Sequence, residues 1–344
     1  MIDEFYMKRC LFLAKKGIGY TSPNPLVGCV IVHKNKIIGE GWHQSYGTCH
    51  AEVNAIKSVR DSSVLNESTM YVNLEPCNHY GKTPPCSDLI IKHQIPRIII
   101  GVKDPNKKVN GNGLEKLKKS GCKIKTNILK KDCINLNKRF FTFHVKKRPY
   151  VILKWARSID GYIAPLNKTK SANKIFWISN PLSIQRAHKL RSSEDGIIVG
   201  VNTILNDDPN LTLRKWNGNH PKRYIIDPNL RLPKIAKVLN DRYPLKILNS
   251  SKNIKKNKKE WIKCDFNKTS NILKILYNEN IQSILIEGGS KTIQFFVDEN
   301  LWDEAQVFTG KKKLKNGIKE PVINIKESYC KKIGDDKLSF YFPI

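Results

Sequence analysis

Short apolar runs alternate with amphipathic stretches through the first 147 residues of the chain. Residues 3–17 combine apolar positions at helical spacing with an acidic first turn and a closing glycine, which predicts a helix. Residues 27–32 and 37–41 form a predicted hairpin of two strands around a polar turn. The further predicted elements alternate in type: helix 51–59, strand 69–74, helix 87–93, strand 97–102, helix 114–120 and strand 123–128. This alternation is typical of a layered α/β domain.

A domain boundary is predicted near residues 146–149 (K-K-R-P). Pro149 prevents a helix from continuing, and a new apolar strand begins at Tyr150. We therefore expect one domain at residues 1–147 and a second at residues 148–344. The second half repeats the alternation, with strand 150–156, helix 181–190, strands 196–201, 223–227 and 283–287, and helix 292–299. The polar, lysine-rich segment 249–263 is predicted to be an exposed loop.

The composition agrees with a protein of two folded domains. The chain has 344 residues, 40% of them hydrophobic, and its apolar runs stay far below the roughly 18 residues of a membrane span. The acidic start does not resemble a signal peptide, and nine cysteines spread over this length do not suggest a secreted disulfide scaffold. We expect a cytoplasmic protein with no membrane partner.

The formal net charge of +31 raises the question of a nucleic-acid partner. Residues 1–147 contain 25 basic and 11 acidic residues, and residues 148–344 contain 36 and 19, so both halves are basic. Nucleic-acid-binding proteins more often concentrate their charge on one face or tail. The even distribution favours a chain-wide lysine bias without a dedicated nucleic-acid partner. Attraction of a phosphorylated small molecule is the alternative.

The most informative pattern is H-A-E at residues 50–52, followed by P-C at 76–77 and P-P-C at 84–86. One imidazole and two thiolates, from His50, Cys77 and Cys86, make a three-ligand zinc site with an open fourth position. Zinc lowers the pKa of bound water to roughly 7, which makes hydroxide available at neutral pH. Glu52 is not needed as a ligand and is suited to general acid–base catalysis.

H-x-E followed by P-C-x-x-C is the signature of zinc nucleobase deaminases, although here eight residues rather than two separate the cysteines. A structural zinc site is the alternative, with His79 or Cys49 as a fourth ligand and Glu52 as a surface residue. The cysteines outside the zinc pattern are expected to be small buried hydrophobic residues, and only Cys49 lies close enough to His50 to need attention.

Four segments together resemble a known family, the bifunctional riboflavin-biosynthesis deaminase/reductases. They are P-N-P-x-V-G (23–28), G-W-H (41–43), H-A-E (50–52) and P-C-N-H-Y-G-K-T-P-P-C (76–86). The resemblance covers nearly the whole chain. It implies a cytidine-deaminase-like α/β/α domain that hydrolytically removes an amino group from 2,5-diamino-6-ribosylamino-4(3H)-pyrimidinone 5′-phosphate. It also implies that Asn24, His43, His79 and Lys82 border the pyrimidine or its phosphate.

In the second half, polar residues cluster at the ends of predicted strands, where α/β proteins bind ligands. The segments are K-W-A-R-S-I-D-G (154–161), G-V-N-T (200–203) with D-D-P-N-L-T-L-R (207–214), and I-L-I-E-G-G-S (284–290). In the last of these, a strand, a glycine turn and a helix start follow one another. Such a turn offers bare backbone N–H groups to a phosphate, although a simple tight turn would have the same pattern.

These segments resemble the reductase half of the same family, which has a dihydrofolate-reductase-like fold and uses NADPH to reduce the ribosyl group. The resemblance implies cofactor contacts at Arg157, Trp177, Thr203, Asp207, Gly289 and Ser290. It implies substrate contacts at Lys154, Arg191, Leu211, Arg214 and Glu287. The chain departs from the family at Ile175, where a small hydroxyl residue is usual. We expect the hydrogen bond that this hydroxyl would make to be absent or to be supplied by Ser171 or Ser179.

Two other functions compete with this interpretation. One is a zinc deaminase that acts on tRNA or a free nucleoside and carries an accessory domain, which aromatic platforms in a localised basic groove would support. The other is a non-catalytic, zinc-stabilised binding module, which would not require Glu52. The resemblance to the family also suggests a homo-oligomer.

Overall fold

The computed structural model describes residues 2–81, 83–106, 109–166 and 176–343. The chain forms two compact units, Met1–Lys147 and Arg148–Ile344. Each unit is built from strands and helices that alternate along the chain. Within the described ranges, no helix combines the length and the apolar character that crossing a bilayer requires.

The first unit is a five-stranded sheet with helices on both faces. Its sheet has the order β2-β1-β3-β4-β5, with β1 antiparallel to β2 and β3 and with β3, β4 and β5 parallel. Short 3₁₀ turns follow α1 at Lys15–Gly17 and precede β3 at Ser62–Glu67. The helices and strands are α1 (Ile2–Ala14), β1 (Gly28–His33), β2 (Lys36–Trp42), α2 (Ala51–Lys57), β3 (Thr69–Val72), α3 (Cys86–Lys92), β4 (Arg97–Ile100), α4 (Asn112–Lys119), β5 (Lys123–Lys125), α5 (Lys130–Leu136) and α6 (Lys138–Lys146).

The alternation of side chains along β1 explains the two helical layers. Cys29 and Ile31 face the core that contains residues of α2, α3 and α4, whereas Val30 and Val32 face the core that contains residues of α1, α5 and α6. The hairpin predicted from the sequence is confirmed, since β1 and β2 pair antiparallel around a short turn. The pattern analysis did not predict α5 and α6, whose first residues lack a side-chain cap.

The second unit is organised around a ten-stranded sheet with the order β11-β12-β10-β9-β8-β13-β6-β14-β17-β16. Strands β12, β10, β9, β8, β13, β6 and β14 pair in parallel, and the remaining pairs in this sheet are antiparallel. The elements are β6 (Tyr150–Arg157), β7 (Tyr162–Ala164), α7 (Pro181–Ser193), β8 (Gly196–Gly200), α8 (Val201–Asp207), β9 (Lys222–Ile226), α9 (Lys237–Asn240), β10 (Leu245–Asn249), β11 (Ile254–Lys256), β12 (Lys259–Lys263), α10 (Thr269–Asn278), β13 (Ser283–Ile286), α11 (Ser290–Asp298), β14 (Glu304–Thr309), β15 (Ile318–Lys319), β16 (Tyr329–Ile333) and β17 (Asp336–Tyr341).

Helices cover both faces of this sheet as well. Residues of α10 and α11 share one core with alternate residues of the central strands, and residues of α8 and α9 share another. Ile284 and Ile286 belong to the first core, whereas Leu285, between them, packs against Leu190 of α7. The buried central strands therefore have the near-continuous apolar sequences that a covered parallel sheet requires.

The prediction of an exposed loop at residues 249–263 is wrong. This segment forms the β11–β12 hairpin, and β12 extends the sheet by pairing in parallel with β10. The segment includes β11, the edge strand of the sheet, where lysines are suitable because charged side chains discourage pairing with another molecule. Its strand signal is therefore weak in the sequence, although Trp261 and Ile262 pack against the neighbouring cores.

Candidate active sites

Three candidate metal ligands of the first unit meet where two helices begin. His50 is the residue before α2, Cys86 is the first residue of α3, and Cys77 lies between β3 and α3. The Nδ1 atom of His50 is 3.5 Å from Cys77 Sγ and 3.3 Å from Cys86 Sγ. All three ligand atoms lie within 4.8 Å of one another. The fold thus brings together residues that are up to 36 positions apart.

The geometry of this cluster fits a zinc ion. Tetrahedral bonds of about 2.3 Å to sulfur and about 2.0 Å to nitrogen would separate the nitrogen from each sulfur by about 3.5 Å. The thiol of Cys86 and the backbone N–H of Cys86 both hydrogen-bond to Cys77 Sγ, and together with His50 they lower the pKa of Cys77. A thiolate is the form of cysteine that binds metal, so the surroundings of Cys77 favour ligation.

Glu52 lies in the first turn of α2 and is 3% exposed. Burial raises the pKa of its carboxyl group, and the nearby Cys77 acts in the same direction. His50 and Cys86 also influence the pKa of this carboxyl group, which therefore lies beside the ligand cluster. A carboxyl group with a raised pKa can both accept and return a proton closer to neutral pH than an exposed one.

Asn24 and His43 form a hydrogen-bonded pair beside this cluster. His43 Nδ1 is 3.1 Å from the carbonyl oxygen of Cys49, which can only accept, so Nδ1 carries the proton. His43 Nε2 therefore accepts from Asn24 Nδ2, at 3.1 Å. Burial lowers the pKa of His43, which keeps the ring neutral. The rings of His43 and His50 lie edge to face, with centroids 5.3 Å apart.

The other two predicted deaminase residues, His79 and Lys82, stay predictions. His79 is exposed, and Lys82 lies outside the described residues. Cys49, the other candidate fourth ligand, has its Sγ 3.6 Å from Lys57 Nζ. Across the part of the chain that the structure describes, no fourth protein ligand joins the three-residue cluster. The cluster therefore has the composition of a site with an open position, rather than of a closed structural site.

Two carboxyl groups that the sequence pattern did not indicate, Glu75 and Asp104, lie in the loops beside this site. Glu75 is buried and accepts hydrogen bonds from the backbone N–H groups of Asp104 at 3.1 Å, Gly111 at 2.9 Å and Leu114 at 3.4 Å. Burial raises the pKa of Asp104 to about 7. The D-P-N turn directly after a buried strand was the available signal, because ligand-facing polar groups often lie at such strand ends.

Two asparagines hold the segment that carries Asn24. Leu26 N–H donates to Asn137 Oδ1 at 2.8 Å, and the carbonyl oxygen of Leu26 accepts from the side-chain amides of both Asn137 and Asn73. Asn73 also accepts from Gly28 N–H at 2.7 Å. Asn137 is 111 positions from Leu26, so no local pattern could have predicted this contact.

The second unit contains a cavity of about 760 Å³. It lies at the carboxyl ends of β6, β8, β9 and β13, where parallel sheets commonly bind ligands. Its volume is within the range of small-molecule and cofactor sites. Nine of the eleven predicted reductase residues line it: Lys154, Trp177, Arg191, Thr203, Asp207, Arg214, Glu287, Gly289 and Ser290.

Basic residues of this cavity gather around one buried carboxylate. Arg191 donates from Nε and Nη2 to the two oxygens of Glu287, at 2.8 and 2.5 Å, and Lys154 Nζ is 3.9 Å from the same group. Burial alone would raise the pKa of Glu287, but Arg191 and Lys154 outweigh it and lower the pKa to about 2. Arg214 lines the same cavity and lies near Arg191, so these three cations exceed the single anion, an excess of positive charge that suits a phosphate.

A glycine turn forms another wall of the cavity. Gly289 N–H donates to Thr203 Oγ1 at 3.0 Å, and α11 begins at the next residue, Ser290. A Cβ atom on Gly288 would lie 2.9 Å from Thr203 Oγ1, so a larger residue here would displace the Thr203 side chain. The backbone N–H groups at the start of the nine-residue α11 give this wall a positive electrostatic character.

Two predicted reductase residues do not belong to the described lining of the cavity. Arg157 donates to Thr309 Oγ1 at 2.9 Å and to Glu320 Oε1 at 2.7 Å, an ion pair that the sequence did not predict. Leu211 is 2% exposed and packs into the core that includes α8 and α9. It adopts a φ of +56°, an uncommon conformation for leucine.

The departure from the family pattern at Ile175 lies outside the described residues, as does Ser171. Ser179, the other candidate donor, lines the cavity. Trp177 also lines it, and the carbonyl oxygen of Trp177 accepts from Lys312 Nζ at 2.6 Å.

His188 is a cavity residue that sequence analysis missed. It is 3% exposed, and its Nδ1 accepts from Arg214 N–H at 3.3 Å. Burial and the neighbouring Arg191 lower the pKa of His188 to about 4, so the ring is neutral near pH 7. Helical spacing was the available signal, because His188 and Arg191 are three positions apart on α7 and share one face.

Comparison with known families agrees with these two sites. A profile of the cytidine and deoxycytidylate deaminase zinc-binding region matches residues 1–102. A profile of the RibD C-terminal domain matches residues 149–313. The second match opposes an unrelated accessory domain as the alternative for this half.

Individual relatives match between two thirds and nearly all of the chain. The riboflavin biosynthesis protein RibD of Aquifex aeolicus is 38% identical over 357 residues, covering 99% of this chain and 98% of that protein. The Escherichia coli protein of the same name is 38% identical over 235 residues, covering 68% of this chain and 62% of that protein. The crystal structure of a diaminohydroxyphosphoribosylaminopyrimidine deaminase/5-amino-6-(5-phosphoribosylamino)uracil reductase from Thermotoga maritima has a TM-score of 0.89 and 34% identity, and covers 100% of this chain and 99% of its own.

A second solved structure, RibD of Acinetobacter baumannii, has a TM-score of 0.88 and 28% identity, and covers 100% of this chain and 99% of its own. The predicted fold class is confirmed: an α/β chain with a cytidine-deaminase-like domain followed by a dihydrofolate-reductase-like domain. The predicted pairing of a zinc-dependent deaminase with an NADPH-dependent reductase is confirmed as well. The chain belongs to the RibD family of bifunctional riboflavin biosynthesis enzymes.

Proposed function

We propose that residues 1–147 deaminate 2,5-diamino-6-ribosylamino-4(3H)-pyrimidinone 5′-phosphate and that residues 148–344 reduce the ribosyl group of the product with NADPH. The observation that carries the proposal is the cluster of His50, Cys77 and Cys86 with a buried Glu52 beside it. The printed name of the Thermotoga protein, which includes both a deaminase and a reductase, supports the same pair of reactions.

In the deaminase site, His50, Cys77 and Cys86 hold zinc, which supplies the Lewis acidity that makes water nucleophilic near neutral pH. Glu52 accepts the proton of the attacking water and delivers it to the departing amino group, so that ammonia leaves. The raised pKa of Glu52 suits both steps, because the carboxylate must gain and lose the same proton in one cycle.

His43 acts in this site as a positioning residue. Both of its ring nitrogens are engaged, Nδ1 with Cys49 and Nε2 with the amide nitrogen of Asn24. The ring therefore fixes which end of the Asn24 amide faces His43 and leaves Oδ1 as the acceptor for a ligand. An acceptor is complementary to the N–H groups of an aminopyrimidine ring. The assignment of His79 and Lys82 to the substrate remains a prediction from the family resemblance.

In the reductase site, Lys154, Arg191 and Arg214 bind the anionic sugar phosphate, and Glu287 holds Arg191 in place by a bidentate contact. The Gly288–Gly289 turn, Thr203 and Ser290 bind the phosphates of NADPH, and Trp177 and Asp207 border the cofactor. NADPH supplies the hydride, so the task of the protein is to hold donor and acceptor in contact. Contacts of Arg157 and Leu211 with a ligand remain predictions.

The direct test is to incubate the full chain with the diaminopyrimidinone phosphate, with and without NADPH, and to analyse the products by mass spectrometry. We expect release of ammonia in both cases and gain of two hydrogen atoms only with NADPH. An inert pyrimidine together with deamination of tRNA would contradict the proposal. We further propose that the protein acts in the cytoplasm as a homo-oligomer and needs no nucleic acid.

A further inference from the structure

The cavity of the second unit contains a cation that the proposed reaction does not yet use. Arg231 lies in the turn after β9, and its Nη2 donates to Asn202 Oδ1 at 2.8 Å. Arg231, Asn202 and Thr203 all line the cavity. In the described parts of the chain, no carboxylate lies within ion-pair distance of Arg231. The guanidinium is therefore held by a neutral amide, and no carboxylate of the described residues balances its positive charge.

The turn that carries Arg231 is fixed by a buried carboxylate. Asp227 is fully buried directly after β9, and its two oxygens accept from the N–H groups of Arg231 at 2.9 Å and Leu232 at 2.8 Å. Leu230, within the same turn, adopts a φ of +54°, which is uncommon for leucine. The backbone of Arg231 is thus held in place while its side chain stays exposed.

Contacts between neighbouring residues give the order of groups along the cavity. Glu287, with its surrounding cations, leads directly into Gly288 and Gly289, and Gly289 contacts Thr203. Thr203 is adjacent to Asn202, which holds Arg231. The phosphate-suited turn therefore lies between the cationic cluster and Arg231. A dinucleotide has the same order, with a pyrophosphate between its two nucleosides.

We propose that Arg231 binds the 2′-phosphate of NADPH and so makes the enzyme prefer NADPH to NADH. This inference rests on the proposed binding of NADPH by the Gly288–Gly289 turn. With the nicotinamide toward the substrate cations, the adenosine extends toward Asn202 and Arg231. A guanidinium donates paired N–H groups to a phosphate, and an arginine near the adenosine ribose accommodates the 2′-phosphate in other dinucleotide-binding folds. Asn202 orients the guanidinium without neutralising it.

The test is equilibrium binding of NADPH and NADH to the full chain, with 2′,5′-ADP and 5′-ADP as smaller probes. Arg231→Met should lower the affinity for NADPH and for 2′,5′-ADP by about 10- to 100-fold, the range expected for lost hydrogen bonds to a charged group. Affinity for NADH and 5′-ADP should change less than about twofold. Lys237→Met is the matched control, because it removes an exposed cation that pairs with Asp208. It should leave all four affinities unchanged.

A second variant keeps Arg231 but alters its partner. Asn202→Asp is nearly isosteric and places a carboxylate beside the guanidinium, so it should also weaken NADPH selectively. If Arg231→Met lost affinity equally for NADPH and NADH, or lost affinity for neither, the proposal would be overturned. Lys291 is another cation of this cavity. If Lys291→Met, rather than Arg231→Met, lost the preference for NADPH over NADH, the proposal would also be overturned. If the wild-type chain bound neither dinucleotide, the proposed reductase function itself would fail.

Discussion

Single side chains in both sites owe their chemistry to burial and to one or two specific partners. Glu52 and Glu287 are both buried glutamates, yet the pKa of the first is raised and that of the second is lowered. Burial acts on both in the same direction. The difference arises because Glu287 is paired with a guanidinium, whereas Glu52 lies beside a cysteine pair that carries negative charge. The first is therefore suited to proton transfer and the second to holding a cation.

Glu52→Gln should retain zinc and lose deamination. The amide is nearly isosteric and cannot carry a proton, so the rate of ammonia release should fall at least about 100-fold. Reduction of substrate that is already deaminated should continue at the wild-type rate. Metal analysis and an ammonia assay measure the two effects. Glu67→Gln is the control, since the Glu67 side chain is 65% exposed. Near-normal ammonia release by Glu52→Gln would remove Glu52 from the mechanism.

Glu287→Gln should destabilise the second unit in a pH-dependent way. The pKa of Glu287 in the folded protein is about 2, below its usual 4.5. Its ionised form therefore stabilises the fold above about pH 4.5, and this contribution is lost as the pH falls toward 2. Removing one partner of a buried pair costs about 3–5 kcal/mol.

We expect urea unfolding at pH 7 to show a free energy of unfolding that is lower than the wild-type value by this amount. The difference from the wild type should become smaller at each step below pH 4.5. Asp335→Asn, which breaks an exposed ion pair with Lys311, should change little at any pH. A deficit in Glu287→Gln that stayed constant down to pH 3 would contradict the lowered pKa.

At the scale of elements, the position of α2 decides whether the zinc cluster forms. His50 immediately precedes this helix, and Glu52 lies in its first turn. The helix packs closely on β2, because a Cβ atom on Gly41 would lie 2.3 Å from Ala55 N and 2.5 Å from Ala51 O. Both contacts are with backbone atoms, so only a shift of α2 relative to β2 could relieve them.

Gly41→Ala should therefore lower both the stability of the first unit and its zinc content. Forcing a methyl group into a packed contact costs typically about 1–3 kcal/mol, and moving α2 displaces His50 from the two cysteines. Gly81→Ala is the matched control, since its Cβ atom would meet nothing within 4 Å. Thermal melting and metal content are the measurements. Full zinc content and an unchanged melting temperature in Gly41→Ala would refute this account.

The elements also show where sequence patterns succeed and fail. Helices and strands with regular apolar spacing, such as α1 and β4, were predicted within a few residues. The edge strand β11 and its neighbour β12 were missed because their lysines resemble those of a loop, although backbone pairing makes both of them strands. The zinc cluster was predictable because its ligand types are chemically distinctive. Asn137 and Arg231 were not, because their importance depends on contacts with residues that are distant in the chain.

For the whole molecule, the net charge of +31 is a property of the surface. Several acidic groups are used in buried or half-buried pairs, such as Arg191 with Glu287 and Arg223 with Asp241. Each such pair is neutral, so the excess positive charge lies on the remaining basic residues. A surface of this kind attracts any polyanion without recognising a sequence.

We expect transfer RNA or duplex RNA to bind weakly, without sequence preference, and with an affinity that falls steeply as salt increases. Each phosphate contact releases counterions, so log K decreases linearly with log salt concentration. Deamination of the pyrimidine should not depend on added RNA. Filter binding across salt concentrations, together with an ammonia assay, measures both effects. Tight, sequence-selective binding near physiological salt would show that the charge serves a nucleic-acid partner.

The hydrogen bonds between Asn137 and Leu26 have a consequence for the order in which the first unit folds during synthesis. The zinc ligands lie between residues 50 and 86, and α3, which contains the last of them, is complete at Lys92. Asn137 lies 45 residues after Lys92, and domains generally fold from the N-terminus as they are synthesised. A nascent chain can thus capture its metal before the loop of Asn24 has its final support.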